Sequence, residues 1–296
     1  MHLRRTAALA AVPLFALAAL TGCSQKTSAS DGSDASADAS ATSSGSADAA
    51  ACTVDKLHLY AAGKLTVATD SPAYEPWFED NDPSNGKGYE SAVAYAIAEK
   101  LGFADGDVDW VKESFNSSYT PGAKKFDFDI NQISITADRA EHVTFSDGYY
   151  TADQAVITLK KNAAEASSLA GLKTLKLGAE TATTSLTAIR DDVQPSQDPL
   201  VFDTDDQAKQ ALLHGQIDGL VTDLPSAGYM SSEISGSTVA GRFANAEPEE
   251  FGLLLEKGNP LVSCLNYAIG ELQSDGELAT LQKKWLSGME DVPVLK

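Results

Sequence analysis

Three short segments carry the side chains best suited to bind a small charged molecule. The first is residues 134–139, where the hydroxyl of Ser134 and the two-pronged guanidinium of Arg139 could together receive a carboxylate. The second is residues 181–184, at a predicted helix start, where free backbone N–H groups suit an anion. The third is Asp223, at the end of a predicted strand, whose carboxylate suits an ammonium group.

Together these segments describe a pocket for a zwitterion that carries a carboxylate and an amine on one carbon. Four aromatic residues are candidates for its apolar walls: Tyr74, Trp77, Phe78 and Phe115. Each assignment has a structural alternative. Arg139 would otherwise pair with Glu141 or Asp138, Thr184 would be an ordinary helix cap, and Tyr74 would be a core residue.

The sequence lacks the motifs of the common catalytic and metal sites. Its histidines show no metal-ligand spacing and none lies beside a cysteine: His2, His58, His142 and His214. It contains no G-x-S-x-G elbow, no P-loop and no G-x-G-x-x-G after a strand. Paired carboxylates such as Asp127 and Asp129 are unremarkable among 42 acidic residues. We therefore expect a binding protein without metal or cofactor, not an enzyme.

The charge of the chain excludes a further class of partner. The formal net charge is −20 at pH 7, with 22 basic and 42 acidic residues. Nucleic-acid binding needs a basic patch that neutralises phosphates, and this sequence has none. The partner is therefore expected to be a small molecule.

These segments lie among alternating strands and helices, which must position them. Short β-branched runs predict strands at 64–68, 108–111, 126–130, 155–159, 175–178 and 217–222. Apolar periodicity and capping residues predict helices at 89–101, from Thr183, after the capping box of Thr204 and Gln207, from Pro260, and at 277–286. The alternation predicts an α/β fold with mostly parallel sheets.

The N-terminus has the pattern of an export signal. Arg4 and Arg5 precede an apolar run at 7–20, which is shorter than the roughly 20 residues that a spanning helix needs. The run ends in Leu20-Thr21-Gly22-Cys23, which resembles the lipobox of bacterial lipoproteins. We expect a signal peptide at 1–22 and a lipid, including palmitate, on Cys23, which would anchor the chain to the outer face of the cell membrane. The alternative is an ordinary signal peptide cut nearby.

A tether is expected to follow Cys23. Residues 24–51 hold 9 Ser and 9 Ala and no aromatic or branched aliphatic side chain, so 23–51 should be disordered. Two cysteines remain beyond it, Cys52 and Cys264. Outside the cytoplasm such a pair predicts a disulfide, and the alternative is two buried free thiols.

From about 64 to 288 the chain resembles solute-binding family 3, the amino-acid-binding periplasmic and lipoprotein receptors of ABC importers. The motifs that carry the resemblance are Gly88-Tyr89-Glu90 and residues 133–139, 145–150, 215–223 and 276–286. The resemblance implies a two-lobed periplasmic-binding-protein-like fold of type II, with crossing hinge strands near 151–156 and 246–252. Lobe 1 would comprise 52–152 and 250–296, and lobe 2 would comprise 153–249.

The resemblance also implies roles for individual residues. Arg139 would hold the α-carboxylate, helped by Ser134 and by the backbone of Thr183 and Thr184. Asp223 would hold the α-ammonium with a carbonyl near Gln132, and Tyr74 and Phe115 would pack on the ligand side chain. One departure from the family pattern is Ala182, which stands where a glycine commonly precedes the two threonines.

The implied partners are an ABC permease and its ATPase, and the receptor would be a monomer. No second arginine or lysine occurs at the candidate pocket positions, which favours a polar, neutral or basic amino acid over an acidic one. Two rival functions are a lipoprotein sensor and a periplasmic cyclic-acid dehydratase of the same fold. A dehydratase would need an acid or base in the cleft, for which Glu75 and Glu180 are the candidates.

Overall fold

In the computed structural model of the protein, residues 49–245 and 248–296 are described. The predicted signal peptide, Cys23 and residues 24–48 of the predicted tether lie outside this part. The last tether residues, Ala49–Ala51, form one turn of 3₁₀ helix, with the Cys52 N–H donating to the Ala49 carbonyl at 3.2 Å. In the described part of the chain, no helix is both long enough and apolar enough to cross a membrane.

The described residues form ten strands in two five-stranded sheets. The strands are β1 (Leu65–Thr69), β2 (Val108–Lys112), β3 (Phe128–Asp129), β4 (Val143–Ala152), β5 (Gln154–Leu159), β6 (Leu177–Glu180), β7 (Leu200–Phe202), β8 (Gly219–Asp223), β9 (Ser237–Phe243) and β10 (Glu249–Glu256). The first sheet has the order β2-β1-β3-β10-β4, and the second has the order β7-β6-β8-β5-β9. We call the parts of the chain built on these sheets lobe 1 and lobe 2.

Helices cover the faces of both sheets. They are α1 (Tyr89–Lys100), α2 (Phe115–Ser118), α3 (Ala137–His142), α4 (Leu169–Leu172), α5 (Thr184–Ala188), α6 (Asp205–Leu213), α7 (Leu224–Glu233), α8 (Val262–Ser274) and α9 (Glu277–Trp285). Strand β5 illustrates why both faces need cover: Ala155 and Ile157 belong to one apolar cluster, and Val156 to the cluster on the opposite face.

The chain changes sheet twice. It leaves the first sheet after β4, which ends at Ala152, and enters the second with β5 at Gln154, inside the predicted segment 151–156. It returns between Phe243 and Glu249, where β9 ends and β10 begins, a stretch that overlaps the predicted segment 246–252. The fold is therefore α/β with two lobes, as predicted.

The sheets are mixed, and their parallel share is smaller than the alternation of strands and helices suggests. Strand β1 pairs in parallel with β2 and β3, and β6 pairs in parallel with β7 and β8. The strands that enter each lobe at a crossing, β5 and β10, run antiparallel to both of their neighbours. This follows from the crossings, because a strand that arrives from the other lobe need not keep the direction of the parallel core.

Several predicted boundaries differ from the structure for local reasons. The predicted strand 126–130 is reduced to β3, and the carboxylate of Asp127 accepts the N–H groups of Tyr60 and Thr66, each at 2.7 Å. The Thr204 hydroxyl caps α6 by accepting the Gln207 N–H at 3.3 Å. The Gln207 side chain instead accepts the Asp203 N–H, so the predicted capping box is only half formed.

The predicted disulfide is present. Cys264 lies on the buried side of α8, and its Cα is 5.3 Å from that of Cys52. The bond joins the beginning of the folded region to a helix near its end, across a sequence separation of 212 residues. Closing so long a loop restricts the unfolded chain, which stabilises the folded state.

Candidate functional site

A cavity lies between the two lobes and is lined by residues of both. Lobe 1 contributes Asp70, Tyr74, Phe115, Asn131, Gln132 and Ser134. Lobe 2 contributes Glu180, Thr183, Thr184, Ser185, Asp205, Val221, Thr222, Asp223 and Ser226. Seven of the eight predicted ligand-binding residues are among them, and Arg139 is the exception.

The start of α1 fixes the loop that carries Gln132. Gly88 has φ +90°, and a Cβ there would lie 2.4 Å from the Trp77 carbonyl oxygen, so only glycine fits. The helix therefore brings the fully buried Glu90 beneath the loop, where its Oε1 accepts the Gln132 N–H at 2.7 Å and its Oε2 accepts the Gln132 side-chain amide. Gln132 is held in the left-handed region, at φ +47°.

Burial raises the pKa of Glu90 to about 7. Hydrogen bonds from the Tyr149 hydroxyl, at 2.5 Å, and from Gln132 oppose that rise by favouring the carboxylate. Glu90 thus supports the cavity-lining loop around Gln132 without lining the cavity itself.

Glu249 joins the two lobes at the second crossing. Its Oε1 accepts the hydroxyls of Ser134, in lobe 1, and Thr184, in lobe 2, each at 2.5 Å. Its Oε2 accepts the side-chain amides of Gln154 at 2.9 Å and Asn245 at 2.5 Å. Only 6% of Glu249 is exposed. Four donors therefore converge on one buried carboxylate, which is the arrangement that lowers the cost of burying such a group.

Sequence reasoning missed Glu249. A signal was present, because Glu249 alternates with Phe251 and Leu253, both fully buried, so all three face the same side of β10. The flanking Glu250 is exposed on the other side.

Asp223 lies at the end of β8, as predicted, and immediately precedes α7. Its Oδ1 accepts the Gln154 side-chain amide at 3.1 Å, and the same amide nitrogen donates to Glu249. Burial raises the pKa of Asp223 well above its ordinary value, and the nearby carboxylates of Glu249 and Asp205 raise it further. A bound ammonium group would supply the positive charge that this carboxyl group lacks.

Arg139 is buried beside the cavity rather than in its lining. Its Nη1 donates to the Ser134 carbonyl at 2.8 Å, and its Nη2 donates across the lobes to the Ala182 carbonyl at 2.9 Å. The guanidinium carbon is 5.3 Å from the Phe115 ring centre and 5.1 Å from that of Tyr119. Only 8% of Arg139 is exposed, and it lines a neighbouring cavity together with Thr183 and Thr184. Among the described residues it forms no ion pair with Glu141 or Asp138, the alternative left open above.

Ala182 adopts the left-handed conformation that glycine would allow more easily, with φ +59°. For a residue with a Cβ this region costs roughly 1–2 kcal/mol. The conformation places the Ala182 carbonyl against Arg139 and is followed by Thr183, whose hydroxyl caps α5 by accepting the Leu186 N–H at 3.2 Å. The helix cap is therefore Thr183, and Thr184 is the first residue of α5.

The other end of the cavity is acidic. Tyr74 reaches across the lobes, and its hydroxyl donates to Asp206 at 3.1 Å. The Glu180 Oε2 accepts the Asp205 N–H at 2.9 Å, and the Thr222 hydroxyl donates to Asp205 at 3.4 Å. Asp70 lies on the lobe 1 side. Burial raises the pKa of Glu180 to about 8 and that of Asp205 to about 6, and mutual repulsion among the acidic groups contributes.

Two of the expected aromatic walls belong to the core instead. Trp77 and Phe78 are fully buried and do not line the cavity. Trp77 nevertheless contacts the second lobe, since its Nε1 donates to the Ser226 hydroxyl at 2.8 Å. Tyr74 and Phe115 line the cavity, where the prediction put them.

The family described as "Bacterial extracellular solute-binding proteins, family 3" matches residues 65–288. The chain belongs to this family. Its match spans both lobes and confirms the resemblance inferred from the motifs.

Two curated relatives in the family resemble this extracellular solute-binding protein over most of its length. The arginine-binding extracellular protein ArtP of Bacillus subtilis (strain 168) is 28% identical over 76% of this chain and 87% of ArtP. The L-cystine-binding protein TcyA of the same organism is 30% identical over 78% of this chain and 83% of TcyA.

A similar solved structure is that of the ancestral amino acid-binding protein AncCDT-1, described as a precursor of cyclohexadienyl dehydratase. It is 29% identical, with a TM-score of 0.64, over 76% of this chain and 96% of that protein.

Among the residues described here, no group of three or more histidine, cysteine or acidic residues could hold a metal ion.

Proposed function

We propose that this solute-binding protein captures an amino acid between its lobes and delivers it to the permease and ATPase of an ABC importer. The observation that carries the proposal is the interlobe cavity, whose lining includes both the carboxyl group of Asp223 and the hydroxyls of Ser134 and Thr184. Such a cavity complements a molecule with an ammonium group and a carboxylate on one carbon.

In this proposal Asp223 holds the α-ammonium, with a backbone carbonyl near Gln132. Arg139 holds the α-carboxylate, helped by Ser134 and by the backbone N–H groups of Thr183 and Thr184. The buried guanidinium supports this role, because it donates to the Ala182 carbonyl and lies beside Thr183 and Thr184, which also line the interlobe cavity. The ligand carboxylate would take the place of the Ala182 carbonyl as the acceptor of Nη2, and the Ser134 hydroxyl would turn from Glu249 toward the ligand.

The ligand side chain packs against Tyr74 and Phe115 and is polar and neutral or basic. No lysine, arginine or histidine is among the residues that line the interlobe cavity in the described part of the chain, whereas four of them are acidic. A side-chain carboxylate would therefore meet repulsion with no compensating cation.

Closure of the lobes around the ligand creates the state that the permease recognises. Contacts such as Tyr74 to Asp206 and Trp77 to Ser226 already join the lobes. A ligand that touches both lobes adds contacts that exist only in the closed state, and so shifts the population toward it.

We further propose that the mature protein is a lipid-anchored monomer. Its signal peptide is 1–22, its lipid is attached to Cys23, and its tether is 23–51. Lobe 1 comprises 52–152 and 250–296, and lobe 2 comprises 153–249. Sheet membership supports the division of the chain, since the strands of the first sheet fall on either side of those of the second. Two stretches depart from these bounds. Glu249 begins β10 of the first sheet, and Leu295 packs in an apolar cluster of lobe 2 and donates its N–H to the Arg242 carbonyl in β9 at 2.8 Å. Metabolic labelling with palmitate, compared between the wild type and Cys23→Ser, tests the anchor.

The proposal excludes turnover by this protein. Glu180 lines the cavity and is the stronger of the two candidate catalytic acids, but a histidine, cysteine or lysine to act with it is missing from the cavity lining in the described residues. Incubation with amino acids and with cyclic carboxylic acids, followed by product analysis, separates a receptor from a dehydratase. Any catalysed product would contradict the receptor assignment.

A thermal-shift screen against the common amino acids tests the central proposal. A ligand that binds only the folded protein raises its Tm, and 100 Kd of ligand adds about 2.7 kcal/mol. We expect neutral or basic amino acids to raise the Tm, and aspartate and glutamate to leave it unchanged. Failure of every amino acid to raise the Tm would overturn the proposal.

A further inference from the structure

The acidic end of the interlobe cavity is the place where a bound molecule could add a favourable positive charge. We propose that Glu180 and Asp205 bind the positively charged end of an amino-acid side chain, and that this binding expels a proton from the site. The inference rests on the proposed function and narrows it from neutral or basic amino acids to cationic ones.

The two carboxyl groups come together because of the order of the second sheet. Glu180 ends β6 and Asp205 begins α6, and the Asp205 N–H donates to Glu180 at 2.9 Å. Both line the cavity between the lobes. The hydrogen bond joins the Asp205 backbone to the Glu180 side chain but leaves the negative charges of the two side chains unbalanced.

The surroundings supply little positive charge. The charged and titratable groups that face the pair are Asp70, Tyr74, Tyr119, Asp203, Asp206, Lys209 and Asp223, the last of which faces Asp205. Lys209, the one cation among them, is engaged by Asp206 at 3.0 Å and Glu233 at 2.9 Å. Burial and repulsion therefore keep a proton on the pair near neutral pH in the ligand-free protein.

A second observation shows that the cavity is built to hold a polar molecule. The side-chain nitrogen of Asn131 has no hydrogen-bond partner in the described part of the chain, although Asn131 is only 7% exposed and lines the same cavity. Buried amide donors are normally paired. The aromatic rings of Tyr74 and Phe115 also line the cavity and suit a cation that lies against them.

L-arginine and L-citrulline form a matched pair of probes. They have nearly the same shape, but the guanidinium of arginine carries a positive charge and the ureido group of citrulline does not. Both present the same α-ammonium to Asp223, so any proton linked to that group is common to both. The difference between them reports on the side-chain subsite.

The experiment is isothermal titration calorimetry at pH 7 in buffers of different ionisation enthalpy. For the wild type we expect arginine to bind at least about tenfold more tightly than citrulline and to release between about 0.5 and 1 proton more. Glu180→Gln should reduce the affinity ratio to within about threefold and abolish the extra proton release, with citrulline affinity retained. Asp205→Asn should act in the same direction.

Asp198→Asn is the matched control, because it removes an exposed carboxylate of lobe 2 that does not line the interlobe cavity, and it should preserve the preference for arginine. Thermal unfolding of each variant verifies that it folds. If arginine and citrulline bind equally and release equal numbers of protons, the side-chain subsite is wrong and the proposed function stands. If no amino acid binds to the folded wild type, the proposed function itself fails.

Discussion

The carboxyl groups at the two ends of the interlobe cavity have very different numbers of hydrogen-bond donors around them. At the crossing of the lobes, Glu249 accepts four hydrogen bonds from side chains of both lobes and of the connecting segment. At the far end, the carboxylate of Glu180 has a single described partner, the backbone N–H of Asp205. The protein itself supplies the donors at the first end, and under our proposal a ligand supplies the missing charge at the second. Buried acids can thus serve structure or recognition, depending on the donors that surround them.

Asp223 lies between these ends, and its removal should have the largest effect on binding. We expect Asp223→Asn to weaken the binding of arginine and citrulline alike by about 2–5 kcal/mol, because the buried ammonium loses its counter-charge. Calorimetry measures the loss. Asp191→Asn, which changes an exposed acid of lobe 2, should bind normally. If Asp223→Asn weakened the binding of arginine but not of citrulline, Asp223 would interact with the ligand side chain and not with the α-ammonium.

Removal of Glu249 tests whether the first end is structural. Glu249→Ala leaves buried donors from Ser134, Thr184 and Gln154 without their acceptor, so we expect the free energy of unfolding to fall by roughly 2–3 kcal/mol. Urea unfolding measures the change. The control is Glu250→Ala, which removes the exposed neighbour and should have little effect. Equal stabilities for the two variants would show that the four contacts of Glu249 contribute nothing net.

The pH dependence of stability tests whether the acidic groups at the second end hold protons in the folded protein. The raised pKa values of Glu90, Glu180 and Asp205, about 7, 8 and 6, mean that the folded protein binds more protons than the unfolded chain between about pH 4 and 8. Stability is therefore greatest at the acidic side of this window and falls as the pH rises through it.

We expect the Tm of the ligand-free protein to fall by several degrees from pH 5.5 to 8.5, at about 2–4 °C per kcal/mol. Glu180→Gln should flatten this profile, because it removes one of the groups that hold the proton. Calorimetric scans across the pH range measure both profiles. A profile that rises with pH, or that Glu180→Gln does not change, would argue against an uncompensated acidic end.

The smallest expected effect concerns the backbone that links the two ends. Ala182→Gly relieves the left-handed conformation but makes the unfolded chain more flexible, so we expect a net stabilisation of about 0.5 kcal/mol. Ala188→Gly is the control with the opposite sign, since a glycine at the last residue of α5, from which the chain continues as a π-helical turn, should destabilise by about 1 kcal/mol. Thermal unfolding compares the two variants. A destabilised Ala182→Gly would show that the side chain of Ala182 packs favourably.

Much of the site could be predicted because its residues lie at ends of strands and helices that local patterns mark. Asp223 follows a β-branched run, and Thr183 caps a helix, so both were placed correctly relative to their elements. Arg139 was predicted to bind a carboxylate, from the side chains of residues 134–139 and from the family resemblance, and the structure puts it beside the cavity, where its guanidinium joins Ser134 to Ala182. No local sequence pattern predicts this contact between the lobes.

Local patterns were enough to predict six of the ten strands, the paired cysteines and the family, because hydrophobic periodicity and motif spacing are local properties; β7 and β9 were not predicted. Which acids meet donors and which meet each other depends on tertiary contacts that no local pattern contains. Glu249 and Thr184 lie 65 residues apart, and Glu180 and Asp205 lie 25 apart. Their contacts depend on the strand order and on the approach of the two lobes, and the balance of charge in a buried site is set by such long-range neighbours.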